Sequence, residues 1–240
     1  LYDCYRVFYN LSNMMLIVCG DVEVDEIDKI CTKVLKPSEP IEIIRENPDE
    51  PASVFKPLSE RAMQVAKPLF GIGIKDTDIP SDPRERMKKN AAHSILNNVL
   101  FGKSGEFYNK LYVEGLLSGQ FDFGYEINQS FAFNALFGES SDPKCVYERF
   151  SECAAGAARD GIDREDFERS RRALYASMVK CFDSTEEIAN YFLSFRVDDC
   201  DLLDYVDIIA NISWDDVMNT LREVYLPDRY TLSIVKPLEM

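Results

Sequence analysis

The chain has 240 residues, a formal net charge of −15 and a hydrophobic content of 46%. This composition is typical of a folded protein, and the acidic balance excludes a nucleic-acid binder, which needs a basic surface to displace counterions from phosphate. The same charge disfavours anionic membrane surfaces, and the longest apolar run, Met14 to Cys19, is far shorter than the roughly 20 residues of a membrane span. We therefore expect neither a nucleic-acid nor a membrane partner.

The seven cysteines are scattered, and no two are spaced as C-x-x-C. This pattern favours free thiols in a reducing cytosol over a disulfide framework, and it disfavours a structural zinc site. Nothing at Leu1 resembles a signal peptide. We predict a cytoplasmic protein, and because the chain starts inside a predicted helix, we expect a longer protein around it.

The first part of the chain predicts a helix, a strand and a second helix. The helix spans Tyr2 to Tyr9, and the apolar run Asn13 to Cys19 predicts a strand that ends at Gly20-Asp21. Apolar residues at helical spacing then predict a helix over Val22 to Leu35. Residues 36–57 hold five of the eleven prolines and show no periodicity, which is typical of a linker.

The second part alternates strand and helix patterns. In chain order the predicted elements are a strand at Ala62–Lys75, helices at Pro83–Phe101 and Glu106–Leu116, a hairpin of Phe121–Asn128 and Ser130–Phe137, helices at Pro143–Arg159, from Asp163, at Ser184–Phe195, Asp201–Ala210 and Trp214–Tyr225, and a closing strand at Tyr230–Val235. We predict an α+β fold with an antiparallel or mixed β-sheet and helices covering one face.

Aromatic side chains alternate with period two along both arms of the hairpin. One interpretation is a single buried face, and the other is an exposed strand edge that receives a peptide by β-addition. The residues concerned are Phe121, Phe123, Tyr125, Phe131, Phe133 and Phe137.

The chain offers little for catalysis. Its single histidine, His93, falls toward the polar side of a predicted helix, so we expect it at the surface or the boundary of the core. One histidine cannot form the two-histidine zinc site of H-E-x-x-H or H-x-x-E-H. The glycines at Gly71-Ile72-Gly73 and 102–105 lack the full spacing of phosphate-binding loops, and we expect close strand packing and a helix C-cap instead.

Four segments carry a family resemblance. They are FYNLSNMMLIVCGDVEVDEI, LFGKSGEFYNKLYVEGLL, GIDREDFERSRRALYASMVKCFDSTEEIANYFLSF and ISWDDVMNTLREVYLPDRYTLSIVKP. In this order they resemble the part of pitrilysin-family (insulinase-type) zinc metallopeptidases that follows the catalytic domain. Asn13, Gly20 and Asp21 match the pattern, and Leu11 replaces its usual proline. The variant is most similar to the half-size bacterial subunits that work in pairs.

The resemblance implies a domain plan and a cofactor. Residues 1–36 would be the terminal strand and helix of a preceding catalytic domain, residues 37–52 a linker, and residues 53–240 a second, non-catalytic domain of the same fold. The zinc ligands H-x-x-E-H and a distal glutamate would lie upstream, so we expect no cofactor in this chain and zinc in the longer protein.

The resemblance also implies contacts with substrate. The turn and helix with Lys103, Ser104 and Tyr112 are candidate substrate-facing residues, with no catalytic or metal residue in the chain. Active partner halves of the family carry an arginine just after the leucine matched by Leu111, and here Tyr112 stands in its place. We infer a zinc-bearing subunit whose substrate grip comes from a second peptidase-like subunit.

Three functions remain open. The first is a structural and substrate-chamber domain of a zinc peptidase that confines an unfolded peptide and performs no proteolysis by itself. The second is an inactive scaffold or partner subunit of a peptidase-like heterodimer, and an upstream H-x-x-E-H would separate these two. The third, an unrelated α+β binding module, requires a sheet order unlike that of the family.

Overall fold

The computed structural model describes residues 1–42, 44, 46 and 50–238, apart from the side chains of residues 6, 7 and 118. A single mixed sheet has the strand order β1-β5-β2-β4-β3, in which β1 and β5 are parallel and the other neighbours antiparallel. The strands are β1 (Leu58–Met63), β2 (Leu69–Asp76), β3 (Leu117–Ile127), β4 (Ala132–Ser140) and β5 (Tyr230–Pro237). The predicted fold class is confirmed.

Nine α-helices lie in the described part of the chain. They are α1 (Tyr2–Phe8), α2 (Val24–Val34), α3 (Pro83–Phe101), α4 (Glu106–Val113), α5 (Pro143–Asp160), α6 (Arg164–Lys180), α7 (Thr185–Val197), α8 (Leu202–Asn211) and α9 (Trp214–Val224). Side-chain caps set several of their starts, as Asp82 does for α3 and Ser213 for α9, where it forms a capping box with Asp216. Among these helices, none combines the length and apolar character that crossing a bilayer requires.

The core lies between one face of the sheet and the helices. Successive residues of a strand alternate between the two faces of the sheet. In β2, β4 and β5 the side chains that point to the helix-covered face are the buried ones. The helix α3 crosses this face and also contacts α6, α8 and α9, so most of its length is enclosed by protein. We call the other side of the sheet the outer face.

The hairpin aromatics divide between the two faces. Phe123 is opposite the buried Leu136, so its ring points toward the core. The rings of Phe121 and Tyr125, two residues away on either side, point the same way, as predicted. The expectation of one buried face is wrong for the second arm of the hairpin, because Phe131 just before β4 and Phe133 and Phe137 within it are 46%, 41% and 47% exposed. The β4 rings are exposed because the buried positions of that strand belong to Asn134 and Leu136.

The predicted strand Ala62–Lys75 combines the last two residues of β1, the connection after it and nearly all of β2, and it misses the first four residues of β1. β1 and β2 lie on opposite sides of β5, and they run in opposite directions relative to it. The chain therefore has to reverse across the end of β5, and it does so between Met63 and Leu69, where Pro68 has no N–H to donate to a ladder.

The predicted strand Asn13–Cys19 does not form. A short 3₁₀ turn covers Leu11–Asn13, and Met14 continues in extended conformation without a place in the sheet. An extended segment becomes a strand only when a neighbour completes its hydrogen bonds. Four of its apolar side chains, Met14, Met15, Leu16 and Val18, are exposed, with Leu16 at 66%, and α2 has no buried residue.

Candidate substrate-contacting surfaces

The α3–α4 turn carries two of the three predicted substrate-facing residues. Gly102 ends α3, and a Cβ at this position would lie 2.3 Å from the carbonyl oxygen of Asn98, so only glycine fits the turn. Lys103 and Ser104 follow it and are exposed. The C-cap predicted at Gly102 is confirmed.

Tyr112 lies on α4, away from that turn. Its side chain is 67% exposed, and its ring stacks on Tyr108 with centroids 6.4 Å apart. An exposed phenol can contact a peptide by stacking and hydrogen bonding, but it supplies no positive charge. The structure therefore brings Lys103 and Ser104 together and places Tyr112 separately.

A cleft of about 630 Å³ opens beside the turn, between α4, α5 and α6. Ser104 lines it, whereas Lys103 and Tyr112 do not. Basic side chains in the cleft are paired with acids, since Lys110 bonds Glu106 at 2.7 Å and Arg169 bonds Asp166 at 2.6 Å. The cleft thus presents a charge-balanced wall.

A buried polar cluster lies between α3 and the sheet. Asp76 accepts hydrogen bonds from Tyr125 Oη at 2.7 Å and from Lys89 Nζ at 3.0 Å. The His93 ring stacks on Tyr125 with centroids 3.6 Å apart. Its Nδ1 lies 3.0 Å from Nδ2 of Asn134, and its Nε2 lies 3.5 Å from Asp76 Oδ2, outside hydrogen-bond geometry.

The neighbours of His93 define its tautomer. Asn97 donates to Asn134 Oδ1 at 2.9 Å, so the Asn134 amide nitrogen is left to donate to His93 Nδ1. The proton of the neutral imidazole therefore lies on Nε2, facing Asp76. The predicted surface or boundary position of His93 is wrong, because the middle of α3 lies between the sheet and other helices, and His93, Lys89 and Asn97 are buried there.

Burial and pairing act in opposite directions on this cluster. Burial would raise the pKa of Asp76, but interactions with His93, Tyr125 and Lys89 outweigh it and hold that pKa well below its ordinary value. Burial lowers the pKa of His93, although Asp76 acts to raise it. The cluster thus contains a neutral imidazole and a carboxylate paired with an ammonium group.

The zinc implied by the family resemblance does not fit these residues. Lys89 already neutralises Asp76, Asn134 occupies one nitrogen of His93, and the position one turn along α3 holds Asn97, whose amide is a poor zinc ligand. Across the described residues, no group of three or more histidine, cysteine or acidic side chains is arranged to hold a metal.

The edge strand β3 is a surface that the sequence only partly indicates. Its outward side chains Asp122, Gly124 and Glu126 lie on the outer face and are exposed. The period-two alternation shows that these three residues share a face. The residues of β4 that lie opposite them depend on the register of the hairpin, which the sequence alone does not define.

Comparison with known proteins places the chain in a family. The family model described as the Peptidase M16 inactive domain matches residues 1–174. The uncharacterized zinc protease YmfH of Bacillus subtilis (strain 168) is 31% identical over 241 residues, which cover 99% of this chain and 56% of that protein. The chain therefore spans about half the length of this curated relative.

Solved structures share the fold. An M16-like peptidase from Alicyclobacillus acidocaldarius superposes with a TM-score of 0.83 at 22% identity, covering 91% of this chain and 53% of the other. A peptidase M16 inactive domain structure from Pseudomonas fluorescens gives a TM-score of 0.70 at 16% identity, covering 92% and 52%. The resemblance to pitrilysin-type zinc peptidases is thereby confirmed, and the chain belongs to the Peptidase M16 inactive domain family.

Proposed function

We propose that the chain is the non-catalytic half of a zinc-dependent peptidase subunit, forming a wall of the chamber that confines an unfolded peptide. The observation that carries the proposal is the sealed position of His93. The only imidazole of the chain has 0% exposure and faces Asp76, which is already paired with Lys89. The chain by itself offers no histidine to a metal or to a substrate, and it cuts no peptide bond.

The proposal includes a division of the chain. Residues 1–36 complete a preceding catalytic domain, residues 37–52 link the two, and residues 53–240 form the second domain. The exposed apolar segment from Met14 to Cys19 supports this division, since an extended segment with side chains such as Leu16 in water is stabilised by joining a sheet. The 56% coverage of YmfH supports it too.

In this proposal zinc belongs to the preceding domain. When bound there, the ion would polarise a peptide carbonyl and activate water. The residues of this chain contribute by contacting and positioning the peptide, not by reacting with it. The exposed Lys103, Ser104 and Tyr112 face the chamber, where they contact the peptide without reacting with it.

A second peptidase-like subunit completes the proposed assembly. The family resemblance implies a positively charged side chain just after Leu111, and Tyr112 carries no charge. A partner subunit would therefore provide the basic side chain that binds the substrate peptide. We further propose a bacterial setting, which the Bacillus relative supports, and a cytoplasmic location, which is proposed from the seven unpaired cysteines. The alternative is a non-enzymatic scaffold subunit, and the neutral ring of Tyr112 favours it as much as it favours a paired enzyme.

The test uses the complete reading frame that contains this chain. We expect one zinc ion per subunit by metal analysis and cleavage of a quenched fluorescent unfolded peptide, alone or with its paired subunit. The His93→Gln variant of the complete protein should keep its zinc. An absence of zinc and of an upstream H-x-x-E-H would overturn the enzymatic proposal and leave the scaffold.

A further inference from the structure

A cavity of about 160 Å³ lies where α3, α7 and the end of β3 meet. It is separate from the cleft beside α4 and from the polar cluster around His93. A cavity of about 150 Å³ with apolar walls holds a molecule of benzene. The cavity at α7 therefore has room for the apolar part of a small organic molecule.

Part of the cavity wall is apolar. We call Met87, Ile127, Phe195 and Cys200 the apolar lining. Met87 and Cys200 are 5% and 6% exposed, and the other two are half-buried. The ring of Phe195 packs on Tyr205 with centroids 5.0 Å apart, which fixes its position. A hydrophobic group of a ligand would leave water here.

A buried guanidinium group borders the apolar lining. Arg86 is 5% exposed. Its Nη atoms donate to three backbone carbonyl oxygens, those of Pro80 at 3.2 Å, Ser81 at 2.8 Å and Asp198 at 2.9 Å. A guanidinium has five N–H donors, so two remain for a ligand. Lys89 on the same helix has a carboxylate partner, whereas in the described part of the chain no carboxylate oxygen lies within 4 Å of the Arg86 nitrogens.

Two further donors in the cavity are unused. Asn90 Oδ1 accepts a hydrogen bond from Tyr205 Oη at 2.8 Å, so the other end of the amide, Nδ2, is left to donate. Ser194 is exposed and lies at the mouth of the cavity. Among the described residues, neither Asn90 Nδ2 nor Ser194 Oγ has a hydrogen-bond partner. Together with Arg86, these groups offer donors from two helices to one anionic group.

The cavity also contains an acid. Asp198 is half-buried, and its carboxylate has no lysine or arginine nitrogen within 4 Å among the residues that the structure describes. Burial raises the pKa of this carboxyl group, and Arg86 acts to lower it. The carboxyl group is therefore partly withdrawn from water and close enough to feel the guanidinium charge. The cavity thus presents one group of each sign.

The two charges together define the class of ligand. A simple carboxylic acid would meet Arg86 and be repelled by Asp198, and a simple amine would meet the reverse situation. A zwitterion matches both groups with charge-assisted hydrogen bonds. An α-amino acid carries both charges on neighbouring atoms, and an apolar side chain suits the apolar lining.

We propose that this cavity binds a free apolar α-amino acid as its zwitterion. The carboxylate accepts hydrogen bonds from Arg86, Asn90 and Ser194, and the ammonium group bonds Asp198. The side chain lies on the apolar lining. This inference goes beyond the proposed function and does not depend on it, because such binding needs neither zinc nor peptidase activity.

The test titrates the full-length protein with L-leucine by isothermal titration calorimetry. N-acetyl-L-leucine lacks the ammonium charge and L-leucinol lacks the carboxylate, while both keep the same apolar group. We expect saturable binding of leucine. Each analogue should lose at least about 10-fold in affinity, as for the loss of a hydrogen bond to a charged group.

Variants place the binding in this cavity. Ser194→Trp puts an indole ring at the mouth and should abolish binding. The matched control, Ser177→Trp, makes the same change at an exposed serine of α6 and should leave binding unchanged. Asp198→Asn should weaken leucine binding by about 2- to 10-fold. It should also reduce the disadvantage of N-acetyl-L-leucine, because the two lost charges are partners.

Hydrogen exchange gives an independent measurement. No residue of α7 is buried, so its amides should exchange readily in the free protein. Leucine bound between α7 and α3 should slow the exchange of the Thr185–Val197 amides. The amides of α2, which does not line the cavity, should be unaffected.

Four results would overturn the inference. They are the absence of saturable leucine binding, equal binding of either analogue, binding that survives Ser194→Trp, and unchanged exchange of α7. Tighter binding of the dipeptide leucylglycine than of leucine would overturn it too, because the ligand would then be the N-terminus of a peptide. Zinc content and peptidase activity of the same protein are measured separately, so failure here leaves the proposed function untouched.

Discussion

Lys89 Nζ lies 3.0 Å from Asp76 Oδ1, with both side chains at most 8% exposed, and this ion pair lies beneath the sheet rather than on a surface. Lys89 also bonds the carbonyl oxygen of Asp78. The pair replaces water for both charges. Removing one partner therefore leaves the other as an unpaired buried charge, and this is the main energetic cost of breaking the pair.

Lys89→Met leaves Asp76 as a buried charge without its cation. We expect the free energy of unfolding to fall by about 3–5 kcal/mol, as for other broken buried pairs. Urea denaturation followed by circular dichroism measures the change. The double variant Lys89→Met/Asp76→Asn should lose less than the sum of the two single variants, and strict additivity would contradict the pairing.

Acid should destabilise the fold through His93. Burial lowers its pKa below the ordinary value, so the unfolded chain takes up a proton near pH ~6.5 while the folded one stays neutral. The free energy of unfolding therefore falls as the pH drops through that value. Comparing urea denaturation at neutral and mildly acidic pH, we expect a smaller drop in His93→Gln, by up to about 1.4 kcal/mol per pH unit. Identical slopes would show that another group titrates.

Two glycines of the outer face should respond differently to alanine. A Cβ at Gly73 would lie 3.0 Å from Thr231 Cγ2, so Gly73→Ala is expected to cost about 1–3 kcal/mol of unfolding free energy. Gly124→Ala meets no atom and should stay within about 0.5 kcal/mol or stabilise the strand. Thermal unfolding of both variants gives the comparison, and equal effects would refute the close contact.

The cysteines should differ in reactivity. Burial raises the pKa of Cys153 to about 11, so its thiolate is scarce near pH ~8. Cys4 is exposed. We expect iodoacetamide to modify Cys4 in the folded chain and Cys153 only after unfolding, as mapped by mass spectrometry. Early modification of Cys153 would show that α5 opens readily.

The segment from Met14 to Cys19 tests the proposed division of the chain. Hydrogen exchange of these amides should be fast in the 240-residue chain, because they lie outside the sheet. The same amides should be protected in the complete protein, where the proposed preceding domain would supply the neighbouring strand. Fast exchange in both would show that the segment is a linker.

The sequence predicted best the helix starts, which are set by capping residues next to the helix. Asp82 and Pro83 define the start of α3, and Ser213 defines the start of α9, because capping depends on residues close in sequence. β1 escaped prediction since its partner β5 lies about 170 residues later in the chain and its own pattern, LSERAM, is not alternately apolar.

The polar clusters could not be predicted from the sequence, because they form between residues that are distant along the chain. Nothing near His93 in the sequence reveals Asn134 or Asp76, which reach it from two different strands. The same holds for the β3 edge, where Asp122 and Glu126 are adjacent to phenyl rings only through the hairpin register. The role of Lys103, Ser104 and Tyr112 remains a prediction that binding experiments have to decide.

The position of β5 in the sheet has a consequence for synthesis on the ribosome. This late strand lies between β1 and β2, so neither of those early strands has a neighbour on that side until residues 230–237 have left the exit tunnel. The strands β2, β4 and β3 can pair before β5 is translated, but β1 joins them only afterwards, and loss of residues 230–237 would separate β1 from the rest of the sheet. A stop codon just before Tyr230 should therefore disrupt the sheet although the sequences of β1 to β4 are intact.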